Sequence, residues 1–336
     1  MLRTVWLTYR MHRFEVLLSV ALLAVVAVSA VVAAQHILAT LVPSHCLLVE
    51  AAHPDPVCDA IYAAADPAQR AGAIVMGAMA VIPVGIGLVL GVAIVAREVE
   101  LRTLSLAWAL SPSRRRWLLS RLLPMLAVVM IGLVLVGLAT IGLAEAQATA
   151  DARGLNLDDM GNHGPVMVSR GLMALGIGLL AGALTGRTLP GLLVGAVLMF
   201  AWVAIGAPML RQAQVPSRLV WVTDQQRDRD HLGGLAYQYA PNYGSWYLGP
   251  DGSVMTERDV ETAGCGADYS VDQPTSAQQQ CLDNLEMPPA GYSDLWHLVP
   301  DRDYPEFELV ETVVGLLIGG VAILLTFPVV QRRRPT

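Results

Sequence analysis

The residues best placed to do chemistry in this sequence gather in one charged segment, residues 97–117, between two long apolar runs. Acids and bases alternate at its start, and a run of arginines closes it. Such a segment suits contact with lipid phosphate or with an acidic protein surface. The candidate contact residues are Arg97, Glu98, Glu100, Arg102, Thr103, Arg114, Arg115 and Arg116.

As one amphipathic helix, this segment would lay an apolar side on the membrane, formed by Val99, Leu101, Leu104, Leu106 and Trp108. Ser111-Pro112-Ser113 would then break the helix before the next apolar run. Topogenic charge together with an interfacial helix explains the arginines fully. It leaves Glu98 and Glu100 unexplained, because a positively charged loop has no need of acids at the membrane exit. A partner-contact role is therefore favoured.

The composition is that of an integral membrane protein. Hydrophobic residues make up 54% of the 336 residues and charged residues 15%, and the mean hydropathy is +0.52. These values lie outside the range of soluble globular domains. All 22 basic residues are arginine, which fits biased codon usage at least as well as a function.

Six apolar runs are long enough to cross a hydrocarbon core of about 30 Å, which takes about 20 helical residues. They are Val16–Ala34, Ala73–Ala96, Leu118–Ala144, Met167–Gly186, Leu189–Leu210 and Leu309–Val330. The first run is longer than the apolar core of a secretory signal, so cleavage is not expected. The sequence predicts an all-α polytopic membrane protein with six transmembrane helices.

Arginine placement orients the bundle. With a cytoplasmic N-terminus, the cytoplasmic segments and Arg121 contain 13 of the 22 arginines and three acids, Glu15, Glu98 and Glu100. Short cytoplasmic loops carry such an excess of arginine. The prediction is a multi-pass plasma-membrane protein with both termini in the cytoplasm.

The four cysteines support this orientation, because all of them fall in segments assigned to the outside. Two pairs, each within one loop, are typical of an oxidising compartment. Cys46–Cys58 and Cys265–Cys281 are the favoured bridges, although four cysteines allow three pairings.

The long segment before the last span is predicted to form a small, disulfide-pinned extracellular cap at 211–305. The helices 1–210 precede it, and the last helix and cytoplasmic tail, 306–336, follow. Its Tyr-Gln-Tyr and Trp-Tyr alternation, at Tyr237–Tyr239 and Trp246–Tyr247, predicts short strands that end near glycines. An irregular tethered loop is the alternative.

Enzymatic signatures are missing from the sequence. It has no GxSxG, no HExxH, no paired CxxC and no GxxxxGK[ST] for binding ATP. A metal site at His45, Cys46, His53 and Cys58 is an alternative to the first bridge, but its spacing matches no common zinc pattern.

Ionisable residues are almost absent from the spans, which disfavours both intramembrane catalysis and ion-coupled transport. Glu145, Arg170 and Glu311 stand near the outer ends of their spans, where we expect their side chains to snorkel to the membrane surface. Glycine pairs four residues apart would allow close helix contact. They are Gly87/Gly91, Gly178/Gly182, Gly191/Gly195 and Gly315/Gly319.

The charged segment resembles the permease subunits of ABC-2-type exporters. The likeness covers about 20 residues: an acidic pair at Glu98 and Glu100, then Thr103, Leu106-Ala107-Trp108, and Ser111-x-x-Arg114-x-Arg116-Trp117-Leu118. Six spans with a large loop before the last extend the resemblance to the whole chain. The family often has glycine where this chain has Arg102.

The resemblance implies a coupling helix at about 97–117 that docks in a groove of a separate ATPase subunit. It also implies a second permease copy or a sibling permease, and contact with membrane lipid but not with nucleic acid. No cofactor is expected on this chain, since ATP and Mg belong to the ATPase. This chain would be a transport subunit rather than an enzyme.

The expected activity is ATP-driven export of a hydrophobic or amphiphilic molecule such as a drug, a lipid or a peptide-like compound. Candidate substrate contacts in the fifth span are Met199, Phe200 and Trp202, although ordinary packing is the commoner role for such residues. The alternative is a membrane sensor or scaffold whose extracellular cap binds a ligand or a partner.

Overall fold

The computed structural model describes residues 2–42, 46, 56–103, 108, 113–151, 159–162, 164–218, 220–223, 237–239, 246–249, 252–256, 259, 276, 278 and 293–332. The chain divides into two compact units. The first consists of Met1–Gln212 and Pro305–Thr336, and the second of Ala213–Tyr304. The first unit is helical, and the second contains a β-sheet.

The described helices are α1 (Leu2–Ala39), α2 (Pro56–Glu100), α3 (Arg114–Asp151), α4 (Gly164–Thr185), α5 (Thr188–Ala201), α6 (Ala207–Gln214) and α7 (Tyr304–Arg332). A π-helical segment, Trp202–Gly206, joins α5 to α6, so that Thr188–Ser217 forms one fifth span. Six helical stretches among the described residues are long and apolar enough to cross a membrane. The predicted number of spans is confirmed.

α2 is longer than its predicted span, because it begins at Pro56 rather than near Ala73. The added turns are rich in alanine, which has the highest helix propensity. They also pack inward: Ala65, Ala68 and Gly72 are buried. Most of the segment that was expected to be a loop before the second span is therefore helix.

Cys46 and Cys58 are joined by a disulfide at the start of α2. This is the first of the two bridges favoured from the sequence. Because both thiols are consumed, the alternative metal site with these two cysteines is wrong. Cys265 and Cys281 lie outside the described residues.

α4 is the central helix of the first unit. In its most apolar stretch 83% of the residues are buried, compared with 17% in the fifth span. Glycines let α4 pack directly on the backbone of α2: a Cβ on Gly178 would lie 2.8 Å from the carbonyl oxygen of Leu88. A Cβ on Gly87 or Gly91 of α2 would lie still closer to a carbonyl oxygen of the α4 backbone. This contact is a rigid seam along the unit.

The second unit contains a five-stranded antiparallel sheet. Its strands are β1 (Val220–Thr223), β2 (Tyr237–Tyr239), β3 (Trp246–Leu248), β4 (Val254–Thr256) and β5 (Ser293–Pro300). β5 pairs with β1, β2 and β3, and β3 pairs with β4. The two strands predicted from alternation, β2 and β3, are confirmed, and the alternative of a wholly irregular loop is wrong. Because this unit has strands, the class is mostly helical rather than all-α.

Candidate functional site

The charged segment begins as the end of α2. The helix stops at Glu100, and Arg102 then takes a left-handed conformation with a φ of 56°. The N–H of Arg102 donates to the Val99 carbonyl at 3.1 Å, and the N–H of Thr103 donates to the Glu98 carbonyl at 3.1 Å. This pair of bonds is a Schellman motif, whose left-handed position favours glycine. The permeases that this segment resembles often have glycine at this position, and here Arg102 occupies it and ends the helix.

α3 begins just as sharply on the other side of the segment. The Ser113 hydroxyl accepts a hydrogen bond from the N–H of Arg116 at 3.2 Å, which makes Ser113 the N-cap. Arg97–Glu100 therefore belong to α2, and Arg114–Trp117 to α3. The predicted bounds of the coupling helix, 97–117, are too wide, because this turn and cap interrupt it. Within 104–112, Trp108 is described and has helical backbone, and the other residues lie outside the described part of the chain.

We call the described residues of this corner, 97–103 and 113–121, the elbow. Its innermost contact is an ion pair between Glu98 of α2 and Arg121 of α3. Glu98 is only 4% exposed, and its Oε2 has no hydrogen-bond partner. Removing a carboxylate from water is costly unless a cation compensates it. The pair therefore fixes the ends of α2 and α3 to each other.

Two further contacts join the elbow to other spans. Arg97 forms an ion pair with Glu15 of α1. Glu100 Oε2 accepts hydrogen bonds from the Thr188 N–H, at 3.3 Å, and from the Thr188 hydroxyl. A carboxylate at the first residue of a helix also interacts favourably with the helix dipole. The end of α2 is thereby tied to α1 and to the start of the fifth span.

The arginine at the start of α3 is also engaged within the chain. Its guanidinium lies 4.0 Å from the ring centroid of Trp108 and donates to the backbone carbonyl of Gln331, near the end of α7. Trp108 meets Trp117 edge to face, with centroids 6.3 Å apart. A cation over an indole ring is worth about 0.5–1 kcal/mol at an exposed site and more when it is desolvated. Arg114 thus connects α7 to the elbow.

The predicted contact residues fall into two groups. Arg97, Glu98, Glu100 and Arg114 hold the elbow to other helices, as described above. The others, Arg102, Thr103, Arg115 and Arg116, are exposed without such a contact to another helix, and so is Leu101, which was predicted to face the membrane instead. Glu98 and Glu100 each have a partner inside the chain, Arg121 and Thr188, so their presence is explained without an external partner. A role of these residues in ATPase coupling stays a prediction.

A second charged cluster, which sequence reasoning missed, lies at the opposite end of the first unit. Glu311 of α7 accepts from Arg170 of α4, whose Nε lies 3.0 Å from Oε1, and Oε2 lies 3.4 Å from the Nε of Arg211 in α6. The side chains are 5%, 1% and 13% exposed for Arg170, Glu311 and Arg211. The expectation that Arg170 and Glu311 snorkel is wrong, because each supplies the other's counter-charge. We call these three residues the far cluster.

Arg170 fits the far cluster because of a glycine. Its guanidinium lies so close to Gly161 that any side chain at that position would overlap it. One signal in the sequence could have indicated the pair: opposite charges stand at similar depth in the fourth and sixth spans. Glu145, the third expected snorkelling residue, is exposed.

The candidate substrate residues do not share a surface. Phe200 is 73% exposed, whereas Met199 is buried. Trp202 is half-buried and packs against the apolar cluster that includes Leu88 and Met173, and its indole N–H has no hydrogen-bond partner. Of the three, Phe200 is the one that an apolar molecule could reach from outside this chain. No metal-ligating group of three His, Cys, Asp or Glu occurs among the described residues.

Within the described part of the chain, the buried charged residues lie near the ends of six apolar helices, an arrangement typical of a polytopic membrane protein. A family model described as "ABC-2 membrane transporter related" matches residues 17–211, from the first span through the far cluster's Arg211. Since the match covers more than half of the 336 residues, the chain belongs to this family of ABC-2-type permeases. Permeases of this family generally work with ABC ATPase partners. No curated protein and no solved structure matches the chain.

Proposed function

We propose that this chain is the membrane subunit of an ATP-driven exporter, energised by separate ATPase subunits that bind the elbow. The observation that carries the proposal is that the elbow combines an exposed turn with flanking residues that are attached to other spans. Its outer turn, Leu101–Thr103, is exposed, whereas the residues on either side fix it to four other spans. A surface that receives force needs both access to a partner and attachment to the parts that move.

The chemistry of the outer turn indicates what it would contact. Leu101 offers apolar surface, and Arg102, Arg115 and Arg116 offer guanidinium groups. Arginine forms bidentate hydrogen bonds with carboxylates, so the matching ATPase surface would be a groove with an apolar floor and acidic edges. ATP and Mg would be bound by that partner, and this chain would have no catalytic role.

The elbow end would face the cytoplasm, with both termini, and the complex would lie in the plasma membrane. The sheet unit would then lie outside as a cap. A second copy or a sibling permease would pack on the fifth span, whose outward side is apolar, and Phe200 lies on that exposed side. A hydrophobic or amphiphilic substrate in contact with Phe200 would leave towards the far end.

The test is co-purification from native membranes, with ATPase activity as the readout. The wild type should bring down an ABC ATPase, and the variant Leu101→Ala/Arg115→Ala/Arg116→Ala should lose it. Arg332→Ala is the matched control, because it removes an exposed arginine at the same end of the bundle but outside the elbow. Equal recovery with the triple variant would place the contact elsewhere. If no ATPase binds the wild type, the exporter proposal fails.

A sensor or scaffold is the second candidate. One observation favours it: Trp221 of β1 is 45% exposed and meets Trp246 of β3 edge to face. Exposed aromatic pairs are a common feature of binding surfaces. Loss of ligand binding on Trp221→Ala, in a chain that never recruits an ATPase, would favour this candidate.

A further inference from the structure

The fifth span is attached by polar contacts at both of its ends. At its first residue, the N–H and hydroxyl of Thr188 donate to Glu100 of the elbow. Near its other end, Arg211 forms an ion pair with Glu311 of the far cluster. The fifth span therefore contacts the elbow through Thr188 and the far cluster through Arg211.

Few residues of this span are buried between those two ends. Its buried residues are Gly191, Gly195, Met199, Ala207 and Val215. Three of these five are glycine or alanine, which bury little apolar surface each. By contrast, α4 buries most of its residues against its neighbours. Gly191 and Gly195 pack closely against α2 and α4, whereas from Phe200 to Arg211 only Ala207 is buried. A helix held at its ends, with so few buried side chains in that segment, can bend there with little unpacking of a core.

The middle of the span is π-helical over five residues, Trp202–Gly206. The N–H of Ala207 donates to the carbonyl of Trp202, one residue farther back than in an α-helix. Gly206 lets this wide turn close on the Trp202 ring, since a Cβ there would lie 2.6 Å from Cε3. Such segments mark functional sites in helices, and they are identifiable causes of bends.

In the far cluster, Glu311 is bound more extensively by Arg170 than by Arg211. Arg170 donates from two nitrogens to Glu311 Oε1, whereas the Nε of Arg211 lies 3.4 Å from Oε2. If Arg211 moves away, Glu311 keeps the charge and hydrogen bonds of Arg170. A buried carboxylate that retains one cation escapes the full penalty of an unpaired charge. Arg211 is therefore the member that can leave.

We propose that the fifth span transmits movement of the elbow to the far cluster, that its π-helical segment is where it bends, and that Thr188 and Arg211 are the positioning residues at its two ends. This inference rests on the proposed function, since the movement of the elbow is taken to come from an ATPase. Force on Leu101–Thr103 shifts Glu100, which draws Thr188 and the start of the span. The span bends at Trp202–Gly206 and withdraws Arg211 from Glu311, which frees the far ends of α4 and α7.

The test is hydrogen–deuterium exchange of the native complex, with and without ATP and vanadate. In the wild type, exchange should change both at the elbow and at peptides covering 207–214 and 304–314. Deletion of Ala204 removes the extra residue of the π turn and keeps the helical register on both sides. It should keep the change at the elbow and lose the change at the far end. Ala204→Leu, which keeps the length, should behave like the wild type.

Thr188→Val is a second, independent variant, since it removes the hydroxyl donor to Glu100 with little change in shape. It should weaken the far-end change at least twofold, and Thr188→Ser should restore it. A far-end change of wild-type size in both the deletion and Thr188→Val would overturn the inference. So would a wild type whose elbow responds while its far end does not. If the wild-type elbow itself shows no response to ATP, the proposed function fails instead.

Discussion

The two ends of the helical unit each contain a buried arginine–carboxylate pair, but the pairs are embedded differently. At the elbow, Glu98 and Arg121 are 23 residues apart in the chain. Three neighbouring residues of the elbow add polar contacts to α1, α7 and the fifth span. At the far end, Arg170 and Glu311 are 141 residues apart, and one carboxylate serves two arginines. The elbow has redundant contacts and should move as a block, whereas the far cluster depends on a single group.

The largest effect is expected from Glu311→Gln. It removes the carboxylate charge that compensates the buried Arg170 and pairs with the half-buried Arg211. Removal of one partner from a buried pair costs about 3–5 kcal/mol. The free energy of unfolding in an SDS titration measures this. Glu145→Gln is the control, because Glu145 is exposed. Equal stability of both variants would show that the far cluster is not a structural hub.

Glu98→Gln should destabilise less, by about 1.5–3 kcal/mol, the usual contribution of a hydrogen bond to a charged group. Arg121 is more exposed than Arg170, so it keeps part of its hydration, and the neighbouring elbow contacts remain. The double variant Glu98→Met/Arg121→Met should be more stable than Glu98→Gln alone. A loss as large as that of Glu311→Gln would remove the distinction between the two ends.

The seam between the ends should be rigid, and Gly91→Ala tests that. A methyl group there would overlap the backbone of α4 at Leu175 and should cost about 1–3 kcal/mol. Gly85→Ala, on the same helix, meets nothing within 4 Å and should be neutral or slightly stabilising. The same unfolding titration compares them. If Gly91→Ala is as stable as Gly85→Ala, the helices of the seam can separate freely.

The smallest effect is expected from Arg102→Gly. A left-handed conformation costs a non-glycine residue about 1–2 kcal/mol, and part of this is regained because glycine loses more entropy on folding. A net gain of about 0.5–1 kcal/mol should raise the unfolding midpoint. A lower midpoint would mean that the Arg102 side chain stabilises the turn more than its backbone strain destabilises it.

Local patterns in the sequence predicted the parts of this structure that depend on neighbouring residues. Apolar length gave the six spans, and alternation at Tyr237–Tyr239 and Trp246–Tyr247 gave two strands. The central strand β5 was missed, because its partner β1 begins 73 residues earlier in the chain and Asp294 and His297 interrupt its apolar pattern. Pairing over such distances leaves no local mark in a single sequence.

The candidate site was predicted in its residues but not in their orientation. The motif at Glu98 and Glu100 pointed to the correct corner, yet only the folded chain shows that Glu98 is buried and that the exposed Glu100 is bonded to another helix. Their partners Arg121 and Thr188 belong to other helices. Arg170 and Glu311 stand out in the sequence as charges near span ends, and their opposite signs at similar depth are the one local sign of the pair. A charge near a span end costs little free energy when its side chain snorkels to the membrane surface, whereas a buried charge needs a counter-charge. Only the folded structure distinguishes the two cases.

The central claim is that an ATPase subunit binds the outer turn of the elbow. Site-specific photo-crosslinking tests this claim most directly. A photoreactive phenylalanine analogue at Leu101 should crosslink to an ABC ATPase subunit in native membranes, because that side chain is exposed on the outer turn. The same analogue at Arg332, exposed at the same end of the bundle, should not. No ATPase adduct from Leu101, or equal adducts from both positions, would contradict the claim.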